Sequence, residues 1–546
     1  MGKRRPSKSE VHNSDSDADQ SYPSSGPKTR RKITSSRQPS KKRTKRDLDA
    51  ENDVSITTLP NSSSSHAKSA HTIRGTDVAG IRTALLRWYS TVYASRNMPW
   101  RKQYDSKLDT EERAQRAYEV WISEIMLQQT QVATVIPYYN RWMEKFPTIR
   151  DLADASIDEV NSLWKGLGYY SRASRLLSGA QKAVKEYGGR LPDNATDMQA
   201  NIPGIGRYSA GAICSIAYGE NVPVLDGNVN RLLSRFLALH APPKAKTTLD
   251  ILWNAASAMV QDLGSSTGST STQYPGDINQ ALIELGSTVC KVRDPSCEGC
   301  PLRPWCSAYA ATETKGPAMI VTDIEDLCMI CEPLPDGSNV TAYPMRVAKK
   351  KAREELDIVS VVEWRCNSDR QFLLVRRPGG GLLAGLDEFP TSPNVTASMS
   401  TARQQKLSHE IISNFLHHDV YLQDVAGKPS GPSAASTSLP LRISKVQPAG
   451  DVVHVFSHIK KTYRVQWVVL EGTPDPPQLA ATNDLRTEPN GPKTAGKGKG
   501  KSRNADDKSD AILCSQWVPL DAVATKNIGT GVVKVWNLCK ALWEDE

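Results

Sequence analysis

The periodicity of this chain changes once along its length, and that change divides the molecule. From about Asp77 to residue 310, apolar residues recur at helical spacing. "GIRTALLRWYSTVY" puts Ile81, Leu85 and Trp88 on one face, with Leu86 and Tyr89 widening the stripe. After about residue 355 the apolar runs are short and rich in β-branched residues: "DIVSVVEW", "QFLLVRR", "VVHVFSH" and "YRVQWVVLEG". "HEIISNFL" and "VVKVWNLCKALW" read as helices between and after them. The two textures predict an all-α domain followed by an α+β domain with mixed strands. At 546 residues there is length for two separate cores. The expected divisions are a disordered basic tail (1–75), a helical domain (76–310), a connector (311–353) and an α+β domain (354–546). Two low-complexity insertions are expected, "GSSTGSTST" at Gly264 to Thr272 and a disordered loop at about 475–508.

Charge is distributed unevenly. The chain is +10 in total, and residues 1–46 hold 14 Lys and Arg against 4 Asp and Glu. The remainder is therefore close to neutral. The tail is too polar to collapse, and "KKRTKR" (Lys41 to Arg46) reads as a nuclear import signal or a nucleic-acid tether. Glu10, Asp15, Asp17 and Asp19 interrupt its positive charge, so the nucleus is the expected location, with the mitochondrion as the alternative. No run of 18 apolar residues occurs, so no membrane partner is expected. A monomer is expected.

Three local patterns carry chemistry. Cys290, Cys297, Cys300 and Cys306 form C-x6-C-x2-C-x5-C. Four thiolates this close suit either a tetrahedral zinc ion or an iron–sulfur cluster, and the spacing alone does not choose. In "IPGIGRYSAGAICSIAYG", Gly204 and Gly206 bracket an isoleucine. Such a pair permits a tight hairpin and lets backbone N–H groups approach a phosphate. In "VWISEIMLQQTQV", Glu124 sits among Trp121, Ile122, Ile125, Met126 and Leu127. Apolar surroundings disfavour a carboxylate, so its pKa should rise above the ordinary ~4.3 toward the range a general acid needs. On pattern alone, a glutamate on a helix surface is the competing interpretation.

Taken together, the cysteine loop after "GDINQALIELGSTVC", the glycine hairpin and the following "VLDGNVNRLLSR" resemble the endonuclease III family of DNA glycosylases. The resemblance implies a helix–hairpin–helix catalytic domain built as a six-helix barrel, and a 4Fe–4S cluster on the four cysteines. Lys291 and Arg293 of the cluster loop would then approach the DNA backbone. Members that also cut the strand carry a lysine at the position of Tyr208, whose amine forms a Schiff base. A phenol cannot, so the chain resembles the monofunctional MutY branch, which removes adenine opposite 8-oxoguanine or guanine in double-stranded DNA. A bifunctional glycosylase/lyase is the alternative.

In that branch Glu124 corresponds to the acid that protonates adenine and Asp226 to the anion that stabilises the sugar cation. Tyr208 and Asn228 would position Asp226 and a water. "RNMPWR" resembles the branch's "LPWR", which implies Arg96, Trp100 and Arg101 around the flipped base, with Gln280 as an adenine contact. Gln129 would fill the gap in the duplex near Tyr170, for which ordinary core packing is the equal alternative.

The α+β half resembles the branch's Nudix-like domain through "LLVRRPGGGLLAGLDEFP" and "VVHVFSHIK". By that match Phe456, Ser457 and His458 contact the 8-oxoguanine. The chain lacks the R-E-x-x-E-E helix that holds Mg²⁺ in Nudix hydrolases, so no pyrophosphatase activity is expected. Asp387 stands where the branch has tryptophan ("GLWEFP"). In the connector, Cys328 and Cys331 form "CMIC". Relatives hold zinc there with three cysteines and an upstream histidine. His71 matches the histidine, and Cys366 is the candidate for the missing third thiol; two reduced thiols without a metal are the alternative. Repair or replication proteins are the further partners this resemblance leaves open.

Overall fold

The computed structural model describes residues 66–261, 274–313, 327–335, 337–347, 351–378, 383–417, 420–422, 441–456, 458–480 and 514–543. "KKRTKR", the 264–272 insertion and Ser457 lie outside the described residues.

Twelve helices among the described residues precede the sheet. They are α1 (Gly75–Val92), α2 (Thr110–Leu127), α3 (Val132–Lys145), α4 (Ile149–Asp154), α5 (Ile157–Trp164), α6 (Ser171–Tyr187), α7 (Ala195–Asn201), α8 (Arg207–Ile213), α9 (Gly227–Phe236), α10 (Lys246–Val260), α11 (Pro275–Thr288) and α12 (Ser307–Glu313). Local chemistry starts several of them. Asp109, Thr148 and Ser156 each accept from the N3 amide, and an acid at N3 returns the bond, closing capping boxes on α2, α4 and α5. The second half of α2 runs through one continuous apolar core that also takes in α1, α6, α8, α9 and α11.

The described residues begin at 66, before the expected boundary at residue 75. A short helical turn spans Lys68–His71, His71 is buried, and Ala67 bridges to Leu327 of the connector. Ile73 supplies the apolar anchor that a purely polar tail lacks.

The second half holds eight strands among the described residues: β1 (Arg353–Cys366), β2 (Asp369–Arg376), β3 (Asp387–Glu388), β4 (Thr391–Ser392), β5 (Tyr421–Leu422), β6 (Arg442–Val455), β7 (Ile459–Glu471) and β8 (Ser515–Pro519). The order is β3-β2-β1-β7-β6-β5, with β4 on β1 and β8 on β2. The sheet is mixed: β1 and β7 run parallel, and β6–β7 is an antiparallel hairpin. α13 (Thr401–Phe415) and α14 (Thr530–Ala541) complete the domain. Ile412 of α13 and Trp536 of α14 belong to two separate apolar clusters, each packed on the sheet. β1 is buried at eight consecutive positions, which explains its lack of polar alternation. Residues 475–480, placed in the expected insertion, are among the described residues and pack on the sheet domain. The Ala480 N–H donates to the Phe415 carbonyl at 2.9 Å, and Leu479 bridges to Leu416.

Candidate active site

Two carboxylates are brought together by α2, the glycine hairpin and α9. The hairpin needs glycine at 204, where φ is +82° and a Cβ would lie 2.7 Å from Cβ of Arg175. Gly206 caps α8 with extended backbone, and open space lies where its Cβ would be. That leaves room for a phosphate against the backbone. One turn into α8, the Tyr208 hydroxyl donates to Oε2 of Glu124 at 2.6 Å. This corrects the expected role of Tyr208, whose phenol is bound to Glu124 and not to Asp226. Asp226 is the N-cap of α9. It accepts from the Val229 amide at 2.7 Å and from Nδ2 of Asn228 at 2.8 Å. Arg231 donates to Oδ1 of Asn228 at 2.9 Å and fixes that amide's orientation.

The two acids differ electrostatically. Burial pushes Glu124 up to about 7; the Tyr208 hydrogen bond opposes this, and the Asp226 charge adds to the rise. Burial also raises Asp226, but the Val229 amide, the Asn228 side chain and Arg231 all favour its charged form. Such a pair offers one group that carries a proton near neutrality and one whose charged form is held by three donors. Burial and the two carboxylates hold Tyr208 well above an ordinary phenol, so it stays a donor.

Glu284 of α11, which was not singled out from the sequence, organises the next layer. It is buried and accepts from Arg101 at 2.8 Å and Arg96 at 3.2 Å. The available signal was a lone acid within the apolar "ALIELG". Trp100 is buried edge-on to Tyr139, with ring centroids 5.1 Å apart. Gln280 is half-buried and donates to the Gly276 carbonyl at 3.2 Å.

Gln129 is exposed, with φ +57°, in the turn that ends α2. Arg172 ties this turn to the loop before α6, donating to the Ile125 carbonyl at 2.7 Å, Gln128 at 2.8 Å and Gly168 at 3.2 Å. The tyrosine facing outward in that loop is Tyr169, 47 % exposed, whereas Tyr170, 7 % exposed, takes the core-packing alternative. A φ of +47° at Tyr169 turns the chain so that the second ring enters the core.

The four clustered cysteines line a small cavity of about 20 Å³ together with Leu232, Arg235 and Phe236. Buried Arg235 places Nη1 3.3 Å from the Cys290 sulfur and donates to the carbonyls of Lys291, Val292 and Tyr343. A soft donor set around a cavity with a buried cation beside it fits a metal centre held by thiolates. Lys291 and Arg293 of the same loop are exposed.

A second donor set closes the connector. Ligand atoms of His66, His71, Cys328 and Cys331 all lie within 4.8 Å of one another. Nε2 of His71 is 3.4 Å and 3.3 Å from the two sulfurs. Nδ1 of His71 donates to the Leu237 carbonyl at 2.9 Å, so its Nε2, 2.9 Å from Nε2 of His66, carries the lone pair. The fourth donor is thus His66 and not Cys366, which ends β1 and packs in the core beside α13.

In the sheet domain Phe456 follows β6. Its N–H donates to the Ile459 carbonyl at 2.7 Å and its ring meets His454 edge-on at 4.5 Å. His458 is exposed, and Ser457 lies outside the described residues. Asp387 is buried.

Residues 122–257 match the model of the HhH-GPD superfamily base excision DNA repair protein. The human adenine DNA glycosylase is 41 % identical over 412 residues, 72 % of this chain and 68 % of its own. The adenine DNA glycosylase of Schizosaccharomyces pombe is 35 % identical over 426 residues, 75 % of this chain and 86 % of its own. Among solved structures, a thermostable thymine-DNA glycosylase aligns with 43 % of this chain and 98 % of its own at 24 % identity, with a TM-score of 0.35. Identity at the level of the human enzyme, sustained over more than two thirds of both chains, makes this protein a member of the adenine DNA glycosylases, DNA-binding hydrolases of the N-glycosidic bond that act in base excision repair.

Proposed function

We propose that the protein excises adenine lying opposite 8-oxoguanine, or opposite guanine, from duplex DNA and leaves the backbone uncut. The observation that carries this reading is Glu124, raised to about 7 and held by Tyr208 at 2.6 Å. Adenine is a poor leaving group until it is protonated. With the base flipped out, Glu124 gives its proton to N7; the bond from C1′ to N9 breaks and its electron pair leaves with the base. The sugar is then an oxocarbenium-like cation, and the anchored Asp226 carboxylate supplies the opposing charge or traps C1′ covalently. Water attacks C1′ and returns a proton to Glu124. Asn228 and the Val229 amide hold Asp226 in place throughout. Gln129 and Tyr169 suit the wedge that replaces the flipped base, and Phe456 and His458 suit the opposite-base contact.

Tyr208 supports hydrolysis over strand cleavage, because no amine stands at that position to form an imine. Glu124→Gln on a duplex containing A opposite 8-oxoguanine should release no adenine above background. Borohydride trapping on an abasic duplex should capture no wild-type enzyme, and efficient capture would refute the hydrolytic reading.

The four thiols Cys290, Cys297, Cys300 and Cys306 are best read as holding a 4Fe–4S cluster. They surround a cavity, whereas a single tetrahedral ion draws its ligands together as the connector donors are drawn. Bound there, the cluster would brace the loop that carries Lys291 and Arg293. His66, His71, Cys328 and Cys331 form the zinc site we assign to the connector, and zinc would tie residues 66–71 to 328–331. Purified protein should contain iron and inorganic sulfide in equal amounts, and His66→Ala should lower zinc content without changing iron. The basic segment Lys41 to Arg46 supports nuclear import, which its deletion should abolish in cells.

A further inference from the structure

We propose that Asp387 is a positioning residue that docks the sheet domain onto the helical domain through Arg376 and Asp158. It thereby sets the spacing at which both domains grip one duplex; this second half rests on the opposite-base reading above. Asp387 stands where the family resemblance expects tryptophan, and at 3 % exposed it is a carboxylate placed in an apolar position. Its Oδ1 has no hydrogen-bond partner within ordinary range, and Nε of Arg376 lies 3.5 Å from it. A buried charge of this kind persists only with a counter-ion. Arg376 and Asp387 are register partners on β2 and β3, so the pairing is built into the sheet.

Arg376 is shared. Its Nη2 donates to Oδ1 of Asp158, in the first turn of α5 in the helical domain. Asn527 closes the circuit. Its carbonyl accepts from the Asp387 N–H at 2.9 Å, and its side-chain amide donates to Asp158 at 3.2 Å. Just past the other end of α5, Lys165 donates to the carbonyls of Ala524 at 2.7 Å and Lys526 at 3.0 Å. The sheet domain thus holds α5 at both ends with residues 524–527. Next to Asp387, Leu386 is buried within the helical domain's own core cluster. Apolar burial of Leu386 favours contact but does not fix rotation. Directional charge-assisted bonds do, and an indole at 387 could not aim Arg376.

The test uses the full, cluster-loaded chain and two readouts, hydrogen exchange and base release. Asp158→Asn is the primary variant, because Asp158 is exposed and its replacement leaves the sheet core intact. Arg376→Met breaks the circuit from the other side, and Arg376→Lys keeps the charge. Asp158→Asn and Arg376→Met should each speed exchange in peptides covering α5 and residues 523–528 by about fivefold, as expected for losing one exposed ion pair of the stronger kind. Arg376→Lys should restore part of the protection, and the double variant should be no worse than Arg376→Met alone. The preference for A opposite 8-oxoguanine over A opposite guanine should fall in step, while release from A opposite guanine at saturating enzyme stays unchanged. Unaltered exchange in Asp158→Asn, or additive effects in the double variant, overturns the docking. Faster exchange with an unchanged preference overturns the spacing role. A wild-type enzyme with no preference refutes the opposite-base reading itself, and the exchange data still decide the docking.

Discussion

Removing one hydroxyl interrogates the acid at the centre of the site. In Tyr208→Phe, Glu124 loses the donor that stabilises its charged form, while burial and the Asp226 charge, both of which disfavour it, remain. The Glu124 pKa must then climb above about 7. A hydrogen bond to a charged group is worth about 1.5–3 kcal/mol, and one pKa unit corresponds to about 1.4 kcal/mol, which allows a rise of roughly one to two units. Glu124 is not fully enclosed, and water entering in place of the hydroxyl should recover part of the bond, so about one unit is expected. The assay is single-turnover adenine release from A opposite 8-oxoguanine as a function of pH. Excision needs protonated Glu124, so the wild-type rate should fall as pH rises through about 7. In Tyr208→Phe that alkaline limb should move to higher pH by about one unit, whatever happens to the plateau rate. The plateau also reports positioning, so the limb is the readout. A limb that stays in place, or moves to lower pH, would show that Glu124 is not the titrating acid or that Tyr208 does not set its pKa.

Asp226→Asn should separate chemistry from folding. Asparagine caps a helix as well as aspartate does, so Tm should change little while excision falls by at least about 100-fold. Glu284→Ala strands two arginines, one of them deeply buried, and should destabilise the protein by about 3 kcal/mol in denaturant titration. The same titration on Glu124→Gln should show a pH-dependent gain. The folded-state pKa, about 7, lies above the ordinary 4.5, so the folded protein keeps a proton that the unfolded chain has released. Wild-type stability from this group is intact below 4.5 and is lost as pH rises through about 7. The variant's advantage should therefore be absent near pH 4 and reach at most about 3 kcal/mol above pH 8. An advantage that shrinks with rising pH would reverse the sign and refute the assignment.

Much of this was legible in order along the chain. The switch from helical to strand periodicity located both domains, because burial on one face leaves a repeat of fixed period in the residues themselves. Gly204 and Gly206 announced a tight hairpin, and Glu124 announced an acid in apolar surroundings, both from immediate neighbours. Tyr169 and Tyr170 show where such reading stops. Two identical residues differ only in backbone direction, and the φ at Tyr169 that sends one ring outward and the other inward leaves no mark on composition.

Features that depend on short separations can be read along the chain: element type, caps, the glycine hairpin and the spacing of the four thiols. Which distant residues share a site is settled only by folding. Glu124 meets Tyr208 across 84 positions, His71 meets Cys331 across 260, and Asp158 meets Arg376 across 218. His66 could not be named as a donor, nor Glu284 as the anchor of two arginines, until packing set their neighbours. The physical reason is range. Propensity and periodicity act within a few residues, whereas desolvation, charge pairing and metal ligation depend on distances that the folded core alone imposes.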